Sequence, residues 1–393
     1  MIRERNKNNT EIKPYCRGHS AGRKSQGVSL ANLLVCGVVF IVLTAGIFWY
    51  QFNRIQPTDA LPRWDGLQWG YLLLMMICLP IDAFACGLRM WVVCRVLQPG
   101  VSYWTCLKAE CANLGVSMLT PSQSGGGFGQ IYILSHSGVK VGTALTISLI
   151  TFLGSMVGLL CIGFYSLLIS GIQYVGPFFS GAIWFFTLIL GILILSLIWP
   201  GLFRFVVTHM DRVLSKIWRW GNPFRKRRQP ASVAIEKKPE HLGRLAGKLV
   251  DLIYVYQSEA RRFLKMGKAS FGIVCLLSLV FILSRCLMAF LCLRFLRIND
   301  STLGHMLELQ LALIFLVYFA PTPGGSAVAE SVSLSMMAGI VPVGFAPYYN
   351  LLWRGVTLYI PAITGLLCVM LAMMKDVHKV VIRRKYTHTC LST

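Results

Sequence analysis

The apolar residues of this chain fall in long unbroken runs. They show neither the alternation of a strand nor the single stripe of a soluble helix. The runs cover residues 29–50, 67–93, 141–171, 178–203, 269–296 and 345–373. Each exceeds the roughly 18 residues needed to cross a hydrocarbon layer of about 30 Å. Between them lie two shorter apolar pieces, 102–120 and 303–320. Each is followed by a break rich in Gly and Pro and then by a second short piece, 126–137 and 326–340. The pattern predicts an all-α polytopic membrane protein with about six full transmembrane helices and two broken or re-entrant helical hairpins. An outer-membrane barrel is excluded, because barrel strands alternate apolar and polar positions over roughly 10 residues. No small-residue cleavage site follows the run 29–50, so it reads as a retained anchor and not a signal peptide.

Composition and charge then orient the runs. Of 393 residues, 55% are hydrophobic and only 13% charged. That excludes an ordinary soluble enzyme, a disordered chain and a secreted disulfide scaffold. The net charge of +23, from 38 Lys and Arg against 15 Asp and Glu, fits cytoplasmic loops lying against anionic lipid better than a nucleic-acid partner. Seven Lys and Arg fall in residues 1–28, sixteen in 204–268 and five in 374–393. The positive-inside rule places both termini and the 204–268 loop in the cytoplasm. The crossings then require 102–137 to enter and leave from the cytoplasmic side, and 303–340 to do so from the other side.

Seven segments follow: a basic tail (1–28), an anchor (29–50), a first unit of helix, broken hairpin and helix (67–171), and a transmembrane helix (178–203). A cytoplasmic basic loop (204–268), a second unit of the same plan (269–373) and a tail (374–393) complete the chain. The two units have opposite orientation, the inverted-repeat construction of secondary transporters. Within the basic loop, His241–Leu264 carries Leu and Ile at helical spacing with Arg and Lys between them, and reads as an amphipathic surface helix. The run Arg225-Lys226-Arg227-Arg228 reads as an electrostatic anchor to anionic headgroups.

The candidate chemistry lies at the two breaks. The first runs from Leu119-Thr120-Pro121 through Gly125-Gly126-Gly127 to Gln130; the second from Ala320-Pro321-Thr322-Pro323-Gly324-Gly325 to Glu330. Proline ends a helix and glycine permits the reversal that follows. A helix starting directly after the glycines points free N–H groups and a partial positive charge at the break, which suits an anion. A tight loop between packed helices is the plainer alternative. Aligning Gln130 with Glu330 pairs Pro121 with Pro321 and Gly125 with Gly325. The charged residues within apolar pieces are Asp82, Arg89, Glu110, Arg285, Glu308, Glu330 and Arg354. Each should face protein or an aqueous cavity. Glu330 and Arg354 are expected to pair, and Asp82 is expected to serve as counter-ion to Arg89, which could instead snorkel to the cytoplasmic face. Glu110 and Glu308 are equally readable as structural. The 13 Cys include no C-x-x-C pair and the seven His are scattered, so no metal and no cofactor is expected. No G-x-x-x-x-G-K-[ST] phosphate loop occurs.

The stretch Leu119–Leu134 followed by Ser137-Gly138-Val139-Lys140-Val141-Gly142-Thr143-Ala144-Leu145 resembles the first signature of the lysylphosphatidylglycerol synthase/flippase transmembrane family. The stretch Ala320–Glu330 with Tyr349-Asn350-Leu351-Leu352-Trp353-Arg354 resembles its second. The resemblance covers about residues 67–373. It implies movement of an anionic or aminoacylated phospholipid, or a polyprenyl-phosphate-linked intermediate, across the bacterial inner membrane. It carries Glu330 and Arg354 over as core polar residues, and Arg89 before Met90-Trp91 as the Arg of the first helix. The departure is Gln130, where many members have Glu. No aminoacyl-lipid synthesis is expected, since the chain ends twenty residues past its last helix. The expected substrate-binding set is Arg89, Gly125, Gly126, Gly127, Gln130, Arg285, Pro321, Pro323, Gly324, Gly325, Glu330 and Arg354, with no catalytic residue. A small-solute or ion transporter on the same plan is the alternative, and a lipid-phosphate-modifying enzyme a further one. The oligomeric state is not legible.

Overall fold

The computed structural model describes residues 30–56, 62, 64–170, 176–198 and 240–389. The basic tail 1–28, most of the basic loop and the Arg225–Arg228 run lie outside the described residues. What is described is helical, with no strand among these residues. In hydrocarbon this is the economical solution, since an α-helix satisfies its backbone within one segment. Five stretches are long and apolar enough to cross a bilayer: Val35–Asn53, Trp69–Leu97, Val141–Ser166, Lys268–Phe295 and Val343–Met374.

In chain order, α1 spans Leu30–Asn53 and α2 Trp69–Leu97. The first broken hairpin is α3 (Tyr103–Leu119) and α4 (Gly126–His136), followed by α5 (Val141–Ser170) and α6 (Gly176–Ile198). The amphipathic α7 covers Glu240–Met266 and α8 covers Lys268–Phe295. The second hairpin is α9 (Leu303–Phe319) and α10 (Val328–Met337). Then α11 (Ala346–Arg354), a π turn (Gly355–Tyr359) and α12 (Ile360–Thr389) follow without a gap. The long arms α3 and α9 have 17 residues each, and the short arms α4 and α10 have 11 and 10. At 1.5 Å per residue a short arm is about 16 Å long, half of a hydrocarbon layer.

Packing ties the two hairpin units together. Helix α2 runs along α8, α5 lies on α8, and α3 lies on α12. The α3–α12 crossing is close because two glycines face each other. A Cβ at Gly365 would overlap the carbonyl of Cys111, and one at Gly115 would lie 2.6 Å from the Leu366 nitrogen. Small residues are what let membrane helices approach this way. One core holds Met75, Met288, Leu293, Met306 and Tyr349 from α2, α8, α9 and α11. A second holds Met90, Cys106, Leu134 and Ile147 from α2 to α5, with Phe263 of α7. A third joins α5, α6 and α9 through Ile183, Phe186 and Phe315. Helix α7 seats Tyr256, Ala260 and Phe263 inward while Tyr254, Arg262 and Leu264 remain outward.

Candidate functional site

The two breaks meet. Each long arm stops one residue before a Thr-Pro or Ala-Pro step, and a residue preceding proline is forced out of the helical region. Thr120 accordingly lies at φ −117°, ψ 144° and Ala320 at φ −67°, ψ 120°. These extended stubs pair antiparallel, with Pro121 opposite Pro323. The Ser122 N–H donates to the Ala320 carbonyl at 3.0 Å, and the Gly324 N–H donates to the Thr120 carbonyl at 3.2 Å. The Ser122 hydroxyl donates to the same Ala320 oxygen at 3.0 Å. The chain then reverses through left-handed residues: Ser122 (φ 52°) and Gln123 (φ 55°) in the first break, Gly324 (φ 60°), Gly325 (φ 67°) and Ala327 (φ 64°) in the second. Three of these five carry a side chain, so backbone strain concentrates here. The Gly125 N–H, at the start of α4, is taken by the Thr120 hydroxyl at 2.8 Å.

Around the joined tips stand three buried or half-buried arginines with three carboxylates. Arg354 is 4% exposed and Glu330 0%. Arg354 Nε donates to Glu330 Oε1 at 2.7 Å, and Nη2 donates to the Gly324 carbonyl at 3.2 Å. The expected Glu330–Arg354 pair is therefore present. Arg89 does not snorkel. It is buried, donates from Nη2 to Glu110 Oε1 at 3.2 Å, and reaches Ser155 and Ser278 through Nη1. Glu110 accepts a second bond from Gln130 Nε2 at 3.1 Å, and Gln130 Oε1 accepts from the Ser148 hydroxyl.

The expected Asp82–Arg89 pairing is corrected by these contacts. Glu110, on the neighbouring helix α3, takes Arg89, and Asp82 faces α8 instead. There Asp82 accepts from the Ser284 hydroxyl at 2.6 Å and stands 4.0 Å from Arg285 Nε. That separation is too long for a hydrogen bond. Arg285 Nε and Nη2 have no hydrogen-bond partner. The Arg285 guanidinium lies 4.5 Å from the Phe281 ring centroid and that of Arg89 lies 5.5 Å from it.

A cavity of about 470 Å³ opens among α3, α4, α5, α8 and α9. Of the sequence-derived candidates, Arg89, Gly127, Gln130, Arg285 and Arg354 border it. Gly125, Gly126, Pro321, Pro323, Gly324, Gly325 and Glu330 do not. The side chains of Asn113 and Ser117 crowd Gly126, Phe40 and the Met118 backbone pack on Gly324, and Val317 packs on Gly325. Pro321 is exposed, and Pro323 is buried in the paired tips. Glu330 is screened behind Arg354. The first break thus contributes to the cavity wall and the second serves as its support.

Several bordering residues escaped the sequence reading, among them Asn113, Ser148, Gln310 and Tyr318. Gln310 had a signal. It follows Glu110 at the same chain spacing by which Glu330 follows Gln130, so the two halves carry one carboxylate and one amide each, in swapped order. Gln310 Nε2 reaches the Tyr349 hydroxyl at 3.5 Å. Among the described residues no cluster of three or more His, Cys, Asp or Glu is placed to hold a metal ion.

Fold and site define a polytopic all-α membrane protein whose two broken hairpins meet beside an arginine-bordered cavity. The chain matches the family described as lysylphosphatidylglycerol synthase TM region over residues 34–365, and it belongs to that family. No curated protein and no solved structure matches it.

Proposed function

We propose that this protein moves a phospholipid or lipid-linked phosphate between the leaflets of a bacterial inner membrane, without catalysing a chemical step. The observation that carries the reading is the joining of the two breaks beside a cavity bordered by Arg89, Arg285 and Arg354. A charged headgroup crosses hydrocarbon only where protein replaces its water, and guanidinium is the side chain best shaped for phosphate. Arg285 leaves two nitrogens, Nε and Nη2, without a hydrogen-bond partner, against one, Nε, on Arg89. Exposed apolar side chains cover the outer faces of α2, α8 and α12, where acyl chains would remain.

In this reading the units 67–171 and 269–373 are inverted repeats, the short arms are re-entrant, and both termini face the cytoplasm. The family and the distribution of Lys and Arg support it. The anionic lipid surface meets the basic loop 204–268.

The test is transbilayer movement of a labelled phosphatidylglycerol in proteoliposomes. Arg285→Gln is expected to slow it about tenfold, the loss of one charge-assisted hydrogen bond of roughly 1.4 kcal/mol. An unchanged rate in Arg285→Gln at equal reconstitution overturns the reading.

A further inference from the structure

Arg285 is held differently from the two other arginines that border the cavity. Arg354 and Arg89 each donate to a carboxylate, at 2.7 and 3.2 Å. Arg285 has a carboxylate near it but no hydrogen bond to it, since Asp82 Oδ2 stands 4.0 Å from its Nε. We infer that Asp82 and Ser284 are positioning residues for Arg285. They restrain its guanidinium by charge alone, so that a headgroup phosphate can take it and give it back. The inference rests on the proposed lipid reading and deepens it.

The contacts explain the loose hold. Asp82 lies on α2 and Arg285 on α8, two helices that run along each other. Asp82 is buried, and neither Asp82 nor Ser284 borders the cavity, whereas Arg285 does. A carboxylate and a guanidinium this close gain most by closing to a hydrogen bond. Here the hydroxyl of Ser284, the residue before Arg285, donates to Asp82 Oδ1 at 2.6 Å and holds the carboxylate short of that bond. The guanidinium also lies 4.5 Å from the centroid of the Phe281 ring, one turn earlier in α8. A ring face attracts a cation without fixing the direction of its donors. Arg285 Nε and Nη2 are therefore left uncommitted.

Charge gives the effect its direction. Asp82 attracts Arg285 and repels a phosphate, so the two anions compete for one cation. While phosphate is bound, Arg285 directs its donors to it. When phosphate leaves, Asp82 keeps the half-buried cation from standing alone. Arg285 bonded to Asp82 as tightly as Arg354 is to Glu330 would be closed to substrate. With no carboxylate nearby, it would retain the phosphate too long.

Two variants separate these cases. Asp82→Asn keeps the side chain's shape and its contact with Ser284 but removes the charge. Ser284→Ala keeps the charge and frees Asp82 to bond Arg285. Thermal unfolding of the full chain in detergent reports binding, since a ligand of the folded state raises Tm. The probes are dihexanoyl phosphatidylglycerol and its lysyl ester, which carry the same phosphate. With whichever of them stabilises the unsubstituted protein, the half-stabilising concentration should fall about tenfold in Asp82→Asn and rise about tenfold in Ser284→Ala. In proteoliposomes, Asp82→Asn should lower both the half-saturating lipid concentration and the maximal rate, the mark of slowed release. A purely structural counter-ion would lower Tm without lipid and leave affinity unmoved. Shifts of the same sign in the two variants, or no shift, overturn the inference, as does stabilisation by neither lipid. Arg285→Gln separates this from the parent reading. Slowed transport in Arg285→Gln without opposite shifts refutes the positioning role and leaves translocation standing. Opposite shifts with full transport in Arg285→Gln refute translocation and leave the positioning of Arg285 for phosphate standing.

Discussion

The two halves solve one problem in opposite ways. Each must keep an arginine and a carboxylate at membrane depth. In the first half the pair is distributed. Arg89 and Glu110 come from α2 and α3, and Gln130, Ser148, Ser155 and Ser278 share their hydrogen bonds. In the second half the pair is concentrated. Glu330 and Arg354 hold each other at 2.7 Å, and the arginine also secures the Gly324 carbonyl in the break itself. The swapped carboxylate and amide account for much of this. Where the short arm carries Gln130, the charge sits on the long arm and faces the cavity. Where the short arm carries Glu330, the charge is drawn inward and the long arm presents neutral Gln310. The contrast shows that matching backbone plans need not carry matching electrostatics, and that the open wall and the buried support belong to different halves.

The comparison breaks most clearly at the concentrated pair. Glu330→Ala or Arg354→Ala should each cost about 3–5 kcal/mol of stability, the penalty of a buried charge left alone. Chemical unfolding in micelles would measure it, and the double variant should cost less than the sum of the two. Glu110→Gln, which leaves Arg89 its serine partners, should cost about 1–3 kcal/mol in the same assay. A loss equal to that of Glu330→Gln would erase the distinction between distributed and concentrated pairs. At the seam between the halves, Gly365→Ala forces α3 and α12 apart and should cost about 1–3 kcal/mol. The smallest effects come from the breaks. Gly324→Ala should lose about 1 kcal/mol, while Gln123→Gly, which relieves a left-handed residue, should gain about 1 kcal/mol.

Much of this fold was legible because hydrocarbon leaves few options. Runs longer than a bilayer crossing became α1, α2, α5, α8 and the α11–α12 stretch, and both breaks fell at their prolines. The Glu330–Arg354 pair could be read as well, since two isolated charges near one break have few other partners. The Asp82–Arg89 reading failed for a related reason. It looked for a partner on the same helix, whereas the tertiary fold offered Glu110 on α3 and turned Asp82 toward α8. The chemistry that joins the two tips was not legible. That pairing depends on Thr120 and Ala320 being extended before proline, which links positions with no shared apolar pattern. Nor did composition foretell that the second break would be covered by Phe40, Val317 and Arg354 and so kept off the cavity wall. Such shielding depends on distant contacts, to which a linear pattern is blind.

The short antiparallel bridge between Pro121 and Pro323 sets a mechanical condition. Two tips stitched by backbone hydrogen bonds travel as one piece, and the Gly115–Gly365 crossing fastens that piece to α12. A swing of one half against the other would then carry both tips together, leaving the displacement to the parts of the hairpin arms beyond the bridge.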